Sequence, residues 1–243
     1  MGLSWVFLWR WLSLSREGLG LGAGVDKAWL LWIGWGLVMV LPLILCYMVT
    51  GFRVLDDRVD YASAPFAGTV LKILVGACLV ALFEELLFRG LLYELYRRVM
   101  SLPVAAVSVS ILYMLVHYVG AAEPGDDIGP WTGLSVALLA VGDVTELIED
   151  LGSATSLFFI GLLLIWARER FSLYLCIALH ATWVFVIRLF KAVTVRDVVN
   201  PYQSWAGTLD NFIGPVTVFW LGFILVVVVL FRAHQRRLSG ISS

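Results

Sequence analysis

The sequence predicts an all-α fold, a polytopic bundle of about six to seven transmembrane helices, and three observations carry that expectation. Of 243 residues, 61% are hydrophobic and only 14% charged, against about 25% charged in a soluble domain. Residues 28–50 and 212–231 contain no charged side chain, and each exceeds the roughly 18 apolar residues that mark a membrane span. Ionisable residues nevertheless lie inside apolar stretches, as in "LFEELLFRG" at residues 82–90. A net charge of −1 lacks the basic footprint of a nucleic-acid binder, so no nucleic-acid partner is expected.

Taken in order, residues 1–27 read as an interfacial N-terminal segment. Trp5, Trp9 and Trp11 alternate with Arg10 and Arg16, a mixture suited to the membrane–water boundary. Arg10 interrupts the apolar stretch, and no small-residue cleavage site follows it, so a cleaved signal is not expected. Val6 stands where a myristoylation pattern needs Ser or Thr. Trp29, Trp32 and Trp35 continue the aromatic belt into a first span at 28–50. Further spans are expected within 66–98, as one long helix, and at 103–122, 154–167, 171–191 and 212–232. The apolar stretch 131–147 is interrupted by Asp143 and reads equally as a seventh span, a re-entrant piece or a surface helix. Residues 28–232 thus form a single transmembrane domain, and 233–243 a basic tail. Cys46, Cys78 and Cys176 lie in apolar runs without paired spacing and read as small core residues rather than disulfides or metal ligands.

Orientation follows from the basic residues. With six spans, Arg10, Arg16 and Lys27, then Arg97 and Arg98, then Arg168 and Arg170, then Arg232, Arg236 and Arg237 all fall on one side. Cytoplasmic loops carry such an excess, so both termini are expected inside. No Lys or Arg occurs between Arg98 and Arg168, where acidic residues from Glu123 to Asp150 collect instead.

Of the three histidines, His234 lies in the basic tail, whereas His117 and His180 sit in apolar runs. At 1.5 Å per helical residue, Glu84, His117 and His180 lie roughly 20, 22 and 15 Å from the cytoplasmic ends of their helices. All three depths fall well inside a core about 30 Å thick. A charged residue at the bilayer centre costs several kcal/mol on insertion scales, so such groups turn inward and find partners. Glu85 and Arg89 are spaced to pair on one helix face, while Glu84 points about 100° away. The arrangement suits either a structural ion pair with two packing histidines or a mid-membrane active-site cavity with Glu84 as base.

These residues resemble a known family. "EELLFRG" matches the EExxxR motif of the CPBP (Abi) intramembrane proteases, which include the type II CAAX prenyl endopeptidases. Tyr113-x-x-x-His117 stands for the family's FxxxH, and His180-x-x-x-Val184 for its HxxxN or HxxxD. The resemblance covers roughly residues 70–190 and implies a membrane-embedded endopeptidase, glutamate-dependent and without a cofactor. Implied catalytic residues are Glu84, Glu85, Arg89, His117 and His180, with Phe88, Tyr113 and Val184 lining the cavity. In this scheme Glu84 takes a proton from water, His117 orients that water, His180 stabilises the oxyanion, and Arg89 balances Glu85. No HExxH helix occurs; a metal-dependent version would hold zinc with Glu84, His117 and His180. Val184 departs from the family, since valine cannot donate to an oxyanion. The implied partners are membrane lipids and a peptide or membrane-protein substrate whose prenylation the chain does not reveal, and the implied location is a bacterial inner (cell) membrane. The alternatives are a non-proteolytic bacteriocin-immunity or scaffold protein of the same fold, or a transporter. A transporter usually shows repeated halves, and no internal repeat is evident.

Overall fold

The computed structural model describes residues 14–22, 29–118, 150–207 and 212–241, with side chains as far as 230. The stretch 131–147 and the tryptophans at positions 5, 9 and 11 lie outside the described residues. The described chain is mostly α-helical, in keeping with an all-α polytopic membrane protein. Its helices are α1 (Trp29–Val49), α2 (Ala64–Glu85), α3 (Tyr93–Val99), α4 (Leu102–Val116), α5 (Leu151–Arg170), α6 (Leu173–Val193) and α7 (Pro215–Ile241). Four helical stretches among the described residues are long and apolar enough to cross a membrane: Trp29–Val49, Ala64–Val99, Leu151–Arg170 and Leu173–Val193; α4 and Pro215–Leu230 are shorter apolar helices.

Two of the expected spans differ in detail from the sequence reading. The long helix expected within 66–98 is interrupted by a seven-residue π-helical segment, Leu86–Leu92, that joins α2 to α3. The span expected at 103–122 ends as a helix at Val116, and His117 and Tyr118 form a turn. Apolar composition alone cannot locate such an end, because a turn can be as apolar as the helix before it.

The chain falls into two compact units, 1–109 with 164–196, and 110–163 with 197–243. In the first unit α6 packs against both α1 and α2. Its buried side chains Leu175, Cys176, Leu179, His180 and Trp183 recur at the three- and four-residue spacing of one helix face. Gly36 of α1 lets α6 come close, since a Cβ there would lie 2.9 Å from Thr182 Cβ. Trp183 Nε1 donates to the Gly36 carbonyl at 3.2 Å. Small residues at helix crossings let backbones approach where no hydrophobic effect drives association.

Helix starts follow local chemistry. Ser63 caps α2 by accepting from Phe66 N at 3.2 Å, with Pro65 in the first turn. Ser172 caps α6 by accepting from Leu175 N at 3.3 Å. Such side chains satisfy amide donors that a helix leaves orphaned. A two-stranded antiparallel ribbon, Arg53–Leu55 with Thr194–Arg196, ties the loop after α1 to the end of α6. Buried Arg53 donates to Thr194 Oγ1 and to the Thr194 carbonyl, both at 2.8 Å. Burial, with the facing Arg196, pulls the Arg53 guanidinium below its ordinary pKa.

The second unit is held partly by close glycine contacts. A Cβ on Gly161 of α5 would lie 2.8 Å from Ser110 Oγ of α4. Near the start of α5, Ser156 Oγ donates to the Gly214 carbonyl at 3.2 Å, just before α7.

Candidate active site

The polar cluster of the first unit forms where the α2–π junction meets α6. Glu84 and Glu85 end α2, Arg89 lies one turn on within the π segment, and His180 projects from the buried face of α6. Glu85 and Arg89 have fully buried side chains and form an ion pair, Nη1 to Oε1, at 2.8 Å. The pairing that their spacing allows is therefore present. His180 joins it, with Nδ1 2.8 Å from the same Glu85 Oε1. One carboxylate oxygen thus holds both a guanidinium and an imidazole.

Glu84 behaves differently from its neighbour. Its side chain is 28% exposed against 0% for Glu85, and its Oε2 lies 3.9 Å from His180 Nε2. That gap exceeds a direct hydrogen bond, and Glu84 Oε2 is buried without a hydrogen-bond partner, so a water lying to one side of the two atoms would bridge them. The helical step of about 100° between adjacent residues gives the two glutamates these separate settings. Phe88 is buried beside the pair, with the Arg89 guanidinium 5.9 Å from its ring centre.

The bond to Glu85 also sets the chemistry of His180. A carboxylate that accepts from Arg89 can only accept from the ring as well, so Nδ1 carries the proton. Nε2 is then the atom presented toward Glu84. Fixing one ring nitrogen to define the other is the ordinary way a protein assigns a histidine its role.

Tyr113 and His117 belong to the second unit. His117 Nδ1 is 2.8 Å from the Tyr113 carbonyl oxygen, which can only accept, so here too Nε2 is left for other partners. The rings meet edge to face with centroids 4.6 Å apart. Tyr113 is buried, and its aromatic ring steadies the histidine much as a phenylalanine would. Val184 lies one turn beyond His180 on α6 and is partly buried; its side chain offers no hydrogen bond.

Zinc would need three or four donors. Glu84 and His180 approach each other as two such donors could, and no group of three His, Cys, Asp or Glu side chains close enough to hold a metal occurs among the described residues.

Sequence reasoning paired Glu85 with Arg89 alone and missed its bond to His180, which joins residues 95 positions apart. It also missed the π segment, a distortion frequent at functional sites. Nothing in residues 86–92 marks it in advance. The described end of the N-terminal segment supports this region from behind. Leu19 is buried, the Gly20 carbonyl accepts from Leu173 N at 2.9 Å, and the Gly18 carbonyl accepts from Arg168. Gly20 adopts φ +77° there, a backbone conformation that glycine takes without strain. A Cβ on Gly90 in the π segment would touch Leu173 and Leu19 at 3.5 and 3.8 Å.

Comparison with known proteins agrees with the motif reading. Residues 66–186, which contain all three motifs, match the family model described as type II CAAX prenyl endopeptidase Rce1-like. No curated protein and no solved structure shows a significant match. Through residues 66–186, just under half of its length, the chain is similar to the type II CAAX prenyl endopeptidase Rce1-like family.

Proposed function

We propose that the protein is an intramembrane endopeptidase in which Glu84 activates a water molecule to attack a peptide carbonyl. The observation that carries this reading is the asymmetry of the two glutamates. Glu85 is buried and bound to Arg89 and His180, whereas Glu84 is partly exposed and faces His180 Nε2 across 3.9 Å. A water bridging them from one side would be within reach of a base and of an imidazole whose other nitrogen is fixed.

In the proposed reaction Glu84 takes the proton as the water oxygen bonds to the carbonyl carbon. His180, in its imidazolium form and held by the Glu85 carboxylate, donates from Nε2 to the developing oxyanion. Glu84 then returns its proton to the leaving amine as the C–N bond breaks. Arg89 pairs with Glu85 and orients it, and touches no reacting atom. The resemblance of its motif to the family's assigns His117 to orienting the water. The family name points to the carboxyl-terminal region of a prenylated protein as the substrate class. The expected setting is a bacterial inner membrane with both chain termini cytoplasmic.

Purified protein in liposomes, incubated with farnesylated and unmodified C-terminal peptides, tests this. Mass spectrometry should find cleavage by the wild type and none by Glu84→Ala. Equal cleavage by both would exclude Glu84 as the base. A wild type that cleaves neither peptide, with a Glu84→Ala variant that keeps the cellular phenotype, would favour the immunity or scaffold reading.

A further inference from the structure

We infer that residues 198–205, the loop before α7, form a membrane-anchoring surface that inserts its apolar side chains among lipid headgroups. The loop reads "VVNPYQSW" and contains no charged residue. Val198, Val199, Tyr202 and Trp205 are 78%, 85%, 67% and 47% exposed. Four large apolar side chains left exposed on one short loop are costly in water.

The loop holds this exposure by its own hydrogen bonds. Val199 N donates to Asp197 Oδ1 and Tyr202 N to Asn200 Oδ1, at 3.1 and 2.9 Å. Asn200, Gln203, Trp205 and Gly207 each donate their amide to the carbonyl three residues earlier, and Pro201 has no amide hydrogen to satisfy. Buried Gln203 and Ala206 seat the loop on its own unit. A backbone that satisfies most of its donors internally suits a segment where water is scarce.

Lipid is the occupant that the surroundings favour. Trp205 stacks on Phe219, with centroids 6.1 Å apart. Phe219 lies four residues into α7, roughly 6 Å along the helix from Pro215. Phe219, Phe223 and Val226 are themselves 67%, 58% and 56% exposed, so the loop continues the apolar surface of an apolar helix. Tyr and Trp are the side chains enriched at headgroup level.

Depth measurement by spin labelling tests the inference on the full chain in phosphatidylcholine vesicles. Cys46→Ser and Cys78→Ser remove the accessible thiols, and wholly buried Cys176 is kept, with the parent chain measuring any labelling of it. A nitroxide is placed by Val199→Cys, with Val226→Cys as the lipid reference and Asp57→Cys as the aqueous one. At position 199 the ratio of collisions with oxygen to collisions with a polar nickel chelate should exceed the Asp57 reference several-fold. A ratio equal to that reference overturns the proposal and leaves a protein partner as the alternative. An aqueous reading at Val226 as well would overturn it by removing α7 from the bilayer.

Discussion

Replacing Arg89 by methionine probes the buried cluster. Arg89→Met leaves the Glu85 carboxylate at 0% exposure with His180 as its remaining described partner at 2.8 Å. Breaking a buried pair by removing one member typically costs about 3–5 kcal/mol, because the other charge stays buried. Removing both members is cheaper. In Glu85→Leu/Arg89→Met no charge is stranded, and the main loss is the acceptor of His180 Nδ1, an orphaned donor costing about 1–3 kcal/mol. The double variant should therefore recover roughly 2 kcal/mol over Arg89→Met alone, the difference between the midpoints of those two ranges. Unfolding by SDS titration in mixed micelles measures each variant, and Glu85→Leu completes the cycle. A double variant less stable than Arg89→Met, with the two single costs simply adding, would refute the coupled ion pair.

Three further outcomes follow from the site and the sequence. Val184→Asn should preserve the fold and leave cleavage equal or faster, because it adds a donor one turn from His180, and one oxyanion donor is typically worth about 10² to 10³ in rate; a large fall in turnover at unchanged stability would contradict this. Elemental analysis of protein purified without chelator should find no stoichiometric zinc, and chelators should leave cleavage intact; one tightly bound zinc per chain, lost in His117→Ala, would reverse the mechanism. Reporter fusions should place both termini in the cytoplasm and residues 121–153 on the opposite side; a C-terminal reporter active only outside would refute the orientation.

Much of the fold could be read from the sequence, because in a membrane protein the solvent writes itself into composition. The charge-free runs at 28–50 and 212–231 announced helices that the structure places at Trp29–Val49 and Pro215–Ile241. The Glu85–Arg89 pair was legible because its four-residue spacing is local. The Glu85–His180 bond was not, since it depends on how α2 and α6 pack and no local pattern encodes that packing. The π segment was hidden for a related reason: Leu86–Leu92 has the same apolar character as an α-helix, and the distinction lies in backbone hydrogen bonding. The ribbon between Arg53–Leu55 and Thr194–Arg196 was missed because three-residue strands are too short to show a period. Three motifs in order identified the family, while Val184 marks the position at which the chain departs from it.

The most direct test of the account is turnover of Glu84→Gln beside Glu85→Gln, each with its unfolding midpoint, on whichever peptide the wild type cleaves. Glutamine keeps the size of either side chain and removes its charge. Glu84→Gln should lose on the order of 10² to 10⁴ in rate, the usual contribution of a positioned base, with stability near wild type because this side chain is 28% exposed. Glu85→Gln should instead lower stability clearly, since it leaves Arg89 charged in a buried site. Wild-type turnover in Glu84→Gln would contradict the central claim.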